Sequence, residues 1–451
     1  MIEHLKKIKT LSIWYKLVSI QFLLLLFMPP MDGKTSSVRL LIYIVFALLS
    51  VVTALAFVKE KILTKTIQMN GPLIFVGIFF IMCIISGVWS LVNHNPLSDV
   101  IRGVLPFVWF LYIIIIIQTM SMDDIKGLFD VIGGLSVVYA IRIFIFYFIY
   151  VAGHSGDRVT FHLIQSTSMM PMVGTILFGY YFVVKEKKKN VYIILSLICY
   201  ISVVLTETKS MLLAVLAGWI LLTVLLLAIS KNFIIEKKSI RRRVISVCIL
   251  MTLCTMITIG MTNLGNRWKN MVSIKGNNTE VSTEYSKPTA ENSKPTATTS
   301  SKNEIVVVDT GSVSVRLIEM QTAKACLIKS PIMGKGLGYR WTAKGINYGG
   351  PVIYMHNIFA FTMMDFGIVG ILFIISLLSI LFIMLLKVYR KRDGKLEDKV
   401  AFMMTFSIIT MAFIYANFFA VIRSIEYVLV CSVFFAALYM EYKRIINGEY
   451  M

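Results

Sequence analysis

Four cationic side chains lie where a chain of apolar runs rarely places them, inside such a run or at its end. They are Arg142 within the run 128–152, Arg102 near the start of 100–119, Lys209 just before 210–230, and Arg423 between the last two runs. Charged residues inside membrane spans are costly and are usually functional. A guanidinium grips phosphate oxygens through two parallel hydrogen bonds, so we expect this set to bind a lipid pyrophosphate. Interfacial anchoring, or pairing with Asp99, Glu207 or Glu426, is the alternative.

A long polar segment, 265–354, interrupts the apolar runs and carries further residues of chemical interest. Arg316 lies at the start of a stretch, 311–329, in which apolar residues recur at helical spacing. Those apolar residues are Leu317, Met320, Ala323 and Leu327. His356 and Asn357 follow the polar segment directly, before the next apolar run. A protein that projects one large loop has usually placed its chemistry there.

Two other parts of the polar segment have a structural reading. Residues 276–303 repeat the letters SKPTA and have little to bury, which predicts disorder. The stretch PIMGKGLGYRW contains Gly334, Gly336 and Gly338, which resemble a phosphate-binding loop. It lacks the Lys-Ser/Thr pair of such a loop, so we interpret it as a tight turn.

The elements that must position these residues are membrane helices. The chain is 57% hydrophobic and only 15% charged, whereas soluble domains carry about 25% charged residues. About twelve apolar runs are long enough to cross roughly 30 Å of hydrocarbon. They lie near 11–29, 39–58, 72–92, 100–119, 128–152, 165–184, 190–206, 210–230, 243–264, 367–387, 400–418 and 425–441. The prediction is an all-α, polytopic membrane protein with about 12 transmembrane helices and one large extracytoplasmic loop containing short helices.

The loop divides the chain into a transmembrane block at 1–264, the loop at 265–355, and a C-terminal transmembrane block at 356–451. Lysine and arginine concentrate in alternate connections, so the net charge of +21 follows the positive-inside rule. That rule predicts both termini in the cytoplasm and the large loop outside, in a multi-pass protein of the cytoplasmic membrane. It also explains the positive charge without nucleic acid as a partner.

The stretch from Arg316 to Gly370 resembles the O-antigen ligase and polymerase family of bacterial membrane glycosyltransferases. The family pattern is an arginine that opens a helix, a Pro-x-x-Gly-x-Gly-x-Gly turn, then His-Asn, an acidic residue and a glycine. Here the letters read RLIEMQTAKACLIKSPIMGKGLGYRW and later HNIFAFTMMDFGIVG. Two positions depart from the pattern. Lys209, in LTETKS, stands near the place of a family arginine, and Asp365 stands where the family more often has glutamate.

The resemblance implies transfer of a glycan from undecaprenyl pyrophosphate, in the outer leaflet, to the hydroxyl of a glycan or lipid acceptor. The pyrophosphate would be held by Arg316, Arg142, Lys209, Arg102 and Arg423. Once its charge is neutralised it leaves readily, so cations can replace a general acid. His356 would act as base or orient the acceptor hydroxyl. Asn357 and Asp365 would support the site, although Asn357 could equally cap the following helix.

No metal and no cofactor are expected, because the outer loops contain no Asp-x-Asp pair and no two cysteines have metal-ligand spacing. The lipid bilayer and a protein that regulates chain length are the expected partners.

Three functions remain open from the sequence. A polymerase adds the glycan to the next repeat unit, for an O-antigen, a capsule or an exopolysaccharide. A ligase adds it to another acceptor, such as lipid A core. The abundance of Ile and Lys favours the polymerase, since this composition is common in bacteria without lipopolysaccharide. A flippase for the same lipid-linked unit would also use intramembrane cations, but we see no internal repeat of the transporter kind. A membrane sensor or scaffold is disfavoured, because no sizeable cytoplasmic domain is evident.

Overall fold

The computed structural model describes residues 11–27, 37–148, 168–184, 189–206, 208–230, 237–261, 312–342, 351–391, 395–419 and 421–448. Within these ranges the protein is all-helical, as the sequence predicts. Trp341 and Val352 form an isolated antiparallel β-bridge. The segment 276–303, with its predicted disorder, lies outside the described residues.

The described helices are α1 (Ile13–Leu26), α2 (Ser37–Phe57), α3 (Gly71–Val92), α4 (Leu97–Val104), α5 (Leu111–Thr119), α6 (Met122–Phe146), α7 (Met170–Val184), α8 (Lys189–Leu205), α9 (Lys209–Ser230), α10 (Lys237–Met261), α11 (Ser312–Lys329), α12 (Ile358–Arg390), α13 (Leu396–Ala416) and α14 (Ile425–Asn447). A 3₁₀ turn, Leu105–Phe110, joins α4 to α5, and another, Val421–Arg423, precedes α14. Polar side chains cap several helix starts. Ser12, Asn70, Ser121 and Asn357 each accept a hydrogen bond from a backbone N–H of the following turn.

Eight helical segments are long and apolar enough to cross a membrane. They are Leu41–Ile62, Gly71–Val92, Leu97–Thr119, Met122–Phe146, Lys209–Ile229, Ile358–Arg390, Leu396–Ala416 and Ile425–Asn447. Four shorter apolar helices lie at other predicted spans, namely Ile13–Leu26, Met170–Val184, Lys189–Leu205 and Ile245–Ile257. The protein is therefore a multi-pass membrane protein. The total of about twelve spans stays a prediction.

Helices α6 and α7 run antiparallel. Ser136 of α6 donates a hydrogen bond to the Met170 carbonyl at the start of α7. Tyr181, near the end of α7, donates to Asp130, which lies earlier in α6. The last turns of α6, where Arg142 lies, are therefore close to the start of α7.

Helices α13 and α14 meet at this same end of the bundle. Glu426, in the first turn of α14, accepts hydrogen bonds from the Ser168 hydroxyl and the Met169 N–H, immediately before α7. Helix α13 ends there, and only residues 417–424 separate it from α14 in the sequence. We call this end, marked by Ser168, Ala416 and Glu426, the loop end.

Helix α9 also begins at the loop end. Helix α10 starts at the opposite end, where Arg243 donates to the Val183 carbonyl in the last turn of α7. Thr223, in the second half of α9, lies 3.6 Å from Cys248, which is early in α10. The second half of α9 therefore approaches the opposite end, and its first residue, Lys209, lies at the loop end.

A glycine turn, residues 331–338, fastens the segment after α11 to α12. Helix α12 is kinked at Gly367, whose φ of 61° and ψ of −144° are not helical. The Lys335 N–H donates to the Met364 carbonyl at 2.6 Å, just before the kink. A Cβ at Gly334, where φ is +62°, would lie 2.4 Å from that carbonyl oxygen. The backbones therefore meet where a side chain has no room, and the predicted tight turn is confirmed.

The other side of the glycine turn packs on α3. The Ser86 hydroxyl donates to the Asp365 carbonyl at 2.7 Å and accepts from the Leu337 N–H at 3.1 Å. The Trp89 indole N–H donates to the Gly334 carbonyl at 3.1 Å. The turn is thus held between α3 and the kink of α12, which fixes where α11 ends.

An ion pair and a tryptophan lead the chain from the glycine turn back to α12. Arg340 donates to both oxygens of Asp99 on α4, at 2.6 and 3.1 Å, and this bidentate hydrogen bonding raises the pKa of the arginine. Trp341 exchanges backbone hydrogen bonds with Val352 and donates its indole N–H to the Tyr354 carbonyl. These contacts fix the position of the backbone at Val352 and Tyr354, shortly before His356.

Helix α11 confirms the helix predicted over 311–329. The large apolar residues that predicted it are not, however, the residues that it buries. Leu317 is 59% exposed, and Met320 and Leu327 are only partly buried. The fully buried positions are Glu319, Ala323 and Cys326. Small side chains let α11 approach α12 closely, and they bring a carboxylate to the contact.

Candidate active site

A histidine and a buried carboxylate form the centre of the site. His356 Nδ1 lies 2.6 Å from Glu319 Oε1, and the His356 backbone N–H donates to Glu319 Oε2 at 3.0 Å. Glu319 is fully buried, whereas the His356 side chain remains 16% exposed. A carboxylate can only accept hydrogen bonds, so the shared proton is assigned to Nδ1. In the neutral form of the ring, Nε2 then carries the lone pair.

Two aromatic rings contact the imidazole. The Tyr354 ring lies 5.6 Å from the His356 ring, and the Phe419 ring lies 6.0 Å from it, both in edge-on arrangements. Phe419 in turn stacks on Tyr415 of α13, at 5.9 Å. The imidazole is therefore packed against the C-terminal end of α13.

Arg316 reaches the same place from the first turns of α11. Its guanidinium donates to the Phe418 carbonyl at 2.8 Å, one residue before the Phe419 ring that contacts His356. Arg316 also lies three residues before Glu319 on α11, a spacing that puts both side chains on neighbouring parts of one helix face. The structure thus brings Arg316, Glu319 and His356 together at the loop end.

Comparison with protein families matches residues 191–375 to the family described as O-Antigen ligase. This match supports the O-antigen ligase and polymerase family, which the motif from Arg316 to Gly370 resembles. A comparison with curated proteins gives no match. The matched segment contains Arg316, Glu319 and His356, so the three residues that meet at α13 all lie in the family domain. The family points to a membrane glycosyltransferase of the O-antigen ligase or polymerase type.

Two further residues of this O-antigen ligase domain have structural contacts. The Asn357 side chain accepts from the Phe359 and Ala360 N–H groups and so caps α12. Its amide donates to the Asn417 carbonyl at 3.3 Å, which ties α12 to the end of α13. Capping is therefore the role that the described contacts give Asn357. Asp365 is fully buried and lies two residues before the kink of α12.

The other four predicted cations lie near the ends of helices or in a turn. Lys209 is the first residue of α9, and Arg142 lies in the last turns of α6, both towards the loop end. Arg102 is exposed on α4, three residues after Asp99. Arg423 closes the 3₁₀ turn before α14, and its side chain lies outside the described residues. Of these four, only Lys209 lies in the O-antigen ligase match.

Sequence reasoning missed Glu319 and Arg340. Glu319 lies in the motif stretch, and its spacing from Ala323 and Cys326 would place it on one helix face. This spacing is a weaker signal than that of the larger apolar residues Leu317, Met320 and Leu327, which are exposed or only partly buried in the structure. Arg340 could not be paired with Asp99 by spacing, because the two lie 241 positions apart.

Proposed function

We propose that this protein transfers an oligosaccharide from undecaprenyl pyrophosphate to an acceptor hydroxyl at the outer face of the cytoplasmic membrane. One observation carries the proposal. Arg316 of α11 and His356, which lies two residues before α12, converge on residues 418–419 just after α13. A fork of cationic donors beside an imidazole suits a phosphate leaving group and a hydroxyl nucleophile.

The proposed reaction is a single displacement at the anomeric carbon of the donor sugar. The acceptor oxygen forms the new bond to that carbon, and the bond between the carbon and the pyrophosphate oxygen breaks. The bonding electron pair leaves with the pyrophosphate, and the hydroxyl proton passes to Nε2 of His356. Arg316 neutralises the leaving group, so no protonation of that oxygen is needed. His356 later returns its proton to water.

Further cations at the loop end would extend the pyrophosphate site. Lys209 stands at the N-terminus of α9, where the helix dipole already favours an anion. A lysine at that helix end would add its own positive charge beside a bound phosphate. We assign Lys209, Arg142, Arg102 and Arg423 to the donor headgroup, because ammonium and guanidinium groups bind phosphate oxygens. We also propose that the loop end faces the exterior, with both termini in the cytoplasm.

Polymerase and ligase would share this chemistry and differ in the acceptor. We favour the polymerase because the chain is rich in Ile and Lys, a composition common in bacteria that lack lipopolysaccharide. The ligase is the second candidate. In a reaction with purified protein, a polymerase converts the lipid-linked unit alone into longer lipid-linked chains. A ligase needs a second acceptor and leaves the unit unextended without one.

The experiment that tests the proposal uses purified full-length protein in detergent micelles. The substrate is the lipid-linked oligosaccharide that accumulates in cells lacking this protein, and product length is read by gel or mass spectrometry. Micelles have no two sides, so a flippase would produce nothing in this assay. Product formation that survives a chelator would support the absence of a metal.

Three variants and one control complete the test. Arg316→Ala and His356→Ala should each abolish product, and Arg316→Lys should lose most of it because lysine cannot offer the bidentate fork. Lys324→Ala is the matched control, since Lys324 is exposed on the same helix. Full product length in the His356→Ala protein would refute the proposed base.

A further inference from the structure

We propose that Glu319 is a positioning residue that fixes the tautomer and the ring orientation of His356. This inference rests on the proposed function and adds a residue to the same site. Glu319 does not touch substrate in this scheme; it acts only through the imidazole.

The geometry supports a positioning role because both carboxylate oxygens bind the same residue. Glu319 Oε1 accepts from the His356 ring at 2.6 Å, and Oε2 accepts from the His356 backbone N–H at 3.0 Å. Rotation of the imidazole would break the first bond, and movement of the chain at 356 would break the second. The rings of Tyr354 and Phe419, each nearly perpendicular to the imidazole, pack against the same side chain.

The burial of Glu319 argues that it does more than pack α11 against α12. Glu319 is fully buried, and a buried carboxylate is expensive unless hydrogen bonds and an opposite charge compensate for it. Ala323 and Cys326, on the same buried face, already provide close packing without that cost. An acid at position 319 is of most use when its neighbour becomes positively charged during the reaction.

The positions of the protons on the imidazole, before and after the transfer, show what the carboxylate would do. With the carboxylate on Nδ1–H, the lone pair of the neutral ring lies on Nε2, at the opposite edge of the imidazole. When Nε2 takes the acceptor proton, the ring becomes a cation that stays hydrogen-bonded to Glu319. The carboxylate thus orients the base before the transfer and stabilises the imidazolium after it, as an aspartate does for histidine in hydrolytic triads.

The first test is spectroscopic and needs no substrate. Full-length protein labelled with ¹³C and ¹⁵N at its histidines is placed in lipid nanodiscs, and the His356 signals are assigned by their loss in His356→Gln. We expect the neutral ring to give Nδ1–H shifts. Glu319→Gln puts an NH₂ donor in place of one carboxylate oxygen. The backbone N–H of His356 can only donate, so the amide oxygen should stay on it and the NH₂ should face Nδ1, which then must accept; the Nδ1–H signature should disappear. A signature that persists in Glu319→Gln overturns the proposal.

The second test is kinetic and uses the micelle assay described above. Glu319→Gln should lower turnover roughly 10- to 100-fold, as loss of a histidine's hydrogen-bonding partner does at metal sites. KM for the lipid-linked donor should stay within about threefold, because Glu319 contacts no substrate. Wild-type turnover in Glu319→Gln overturns the positioning role.

A second variant covers the case in which Glu319→Gln does not fold. Glu319→Asp keeps the charge but is one methylene too short to span both donors, so it should give a partial loss of turnover and a mixed tautomer. Lys324→Gln, on the exposed face of α11, should change neither readout. Absence of product from the wild-type protein would refute the proposed function itself, and activity retained in His356→Ala would refute the proposed base. An inactive His356→Ala beside a normal Glu319→Gln refutes only the role of Glu319.

Discussion

Replacing Gly334 by alanine should release the glycine turn from α12, whereas the same replacement at Gly448 should not. Both glycines have a left-handed backbone, with φ of +62° and +69°. An added Cβ would lie 2.4 Å from the Met364 carbonyl oxygen at Gly334, but would meet nothing within 4 Å at Gly448. The two substitutions therefore share the backbone penalty and differ only in the contact.

The magnitude follows from the bonds that the displaced turn would lose. The left-handed conformation costs a side chain about 1–2 kcal/mol. The Lys335 N–H bond to Met364 and the Ile368 N–H bond to Pro331, at 2.6 and 2.8 Å, contribute about 1 kcal/mol each. Together these amount to about 3–4 kcal/mol for Gly334→Ala, against about 1–2 kcal/mol for Gly448→Ala. The first value raises the population of the detached turn roughly 100- to 1,000-fold.

Hydrogen exchange measured by mass spectrometry can detect that population. Peptides covering Lys335 and Ile368 should exchange far faster in Gly334→Ala than in wild type, and at the wild-type rate in Gly448→Ala. Glycan transfer should fall in Gly334→Ala, because the turn holds α11 and hence Glu319 against His356. Equal exchange in the two variants would refute the inference that close backbone contact holds the turn.

Four further changes test individual contacts. Arg142→Lys keeps the charge but loses the fork, so product should drop substantially; normal activity would leave Arg142 a structural residue. Asp99→Asn removes the charged partner of Arg340, and limited proteolysis should then cleave near the glycine turn more readily. Asn357→Ala should cost about 1 kcal/mol of stability through the lost helix cap; unchanged stability with lost activity would assign Asn357 to binding instead. Deletion of 279–301 should leave both folding and product length intact, and an inactive but folded protein would contradict the predicted disorder.

The sequence predicts the helices well because their signal is local. Apolar runs long enough for a membrane become helices, and the spacing over 311–329 becomes α11. Helix ends are also well signalled, since Asn357 caps α12 and the glycines form the turn. Such features depend on neighbours in the chain, which the sequence displays directly.

The side-chain partners could not be predicted, because they depend on distant segments. Spacing cannot join Asp99 to Arg340, and it cannot show which face of α11 meets α12. A rule that buries the largest apolar residues would turn Leu317 inward, yet Leu317 is 59% exposed. Ala323 and Cys326 face inward instead, since small residues allow close helix contact. Glu319 lies on this same buried face and therefore reaches His356.

A single turn of α11 therefore serves both halves of the proposed reaction. Arg316 and Glu319 are three positions apart, and side chains at that spacing have Cβ atoms about 5–6 Å apart. One points to the end of α13, where we propose that the pyrophosphate leaves, and the other holds the imidazole that would accept the proton. Because α11 is held by the glycine turn and by Arg340, a shift of α11 would displace both groups together. Variants that loosen the turn should consequently weaken donor binding and turnover in parallel, whereas Glu319→Gln should change turnover alone.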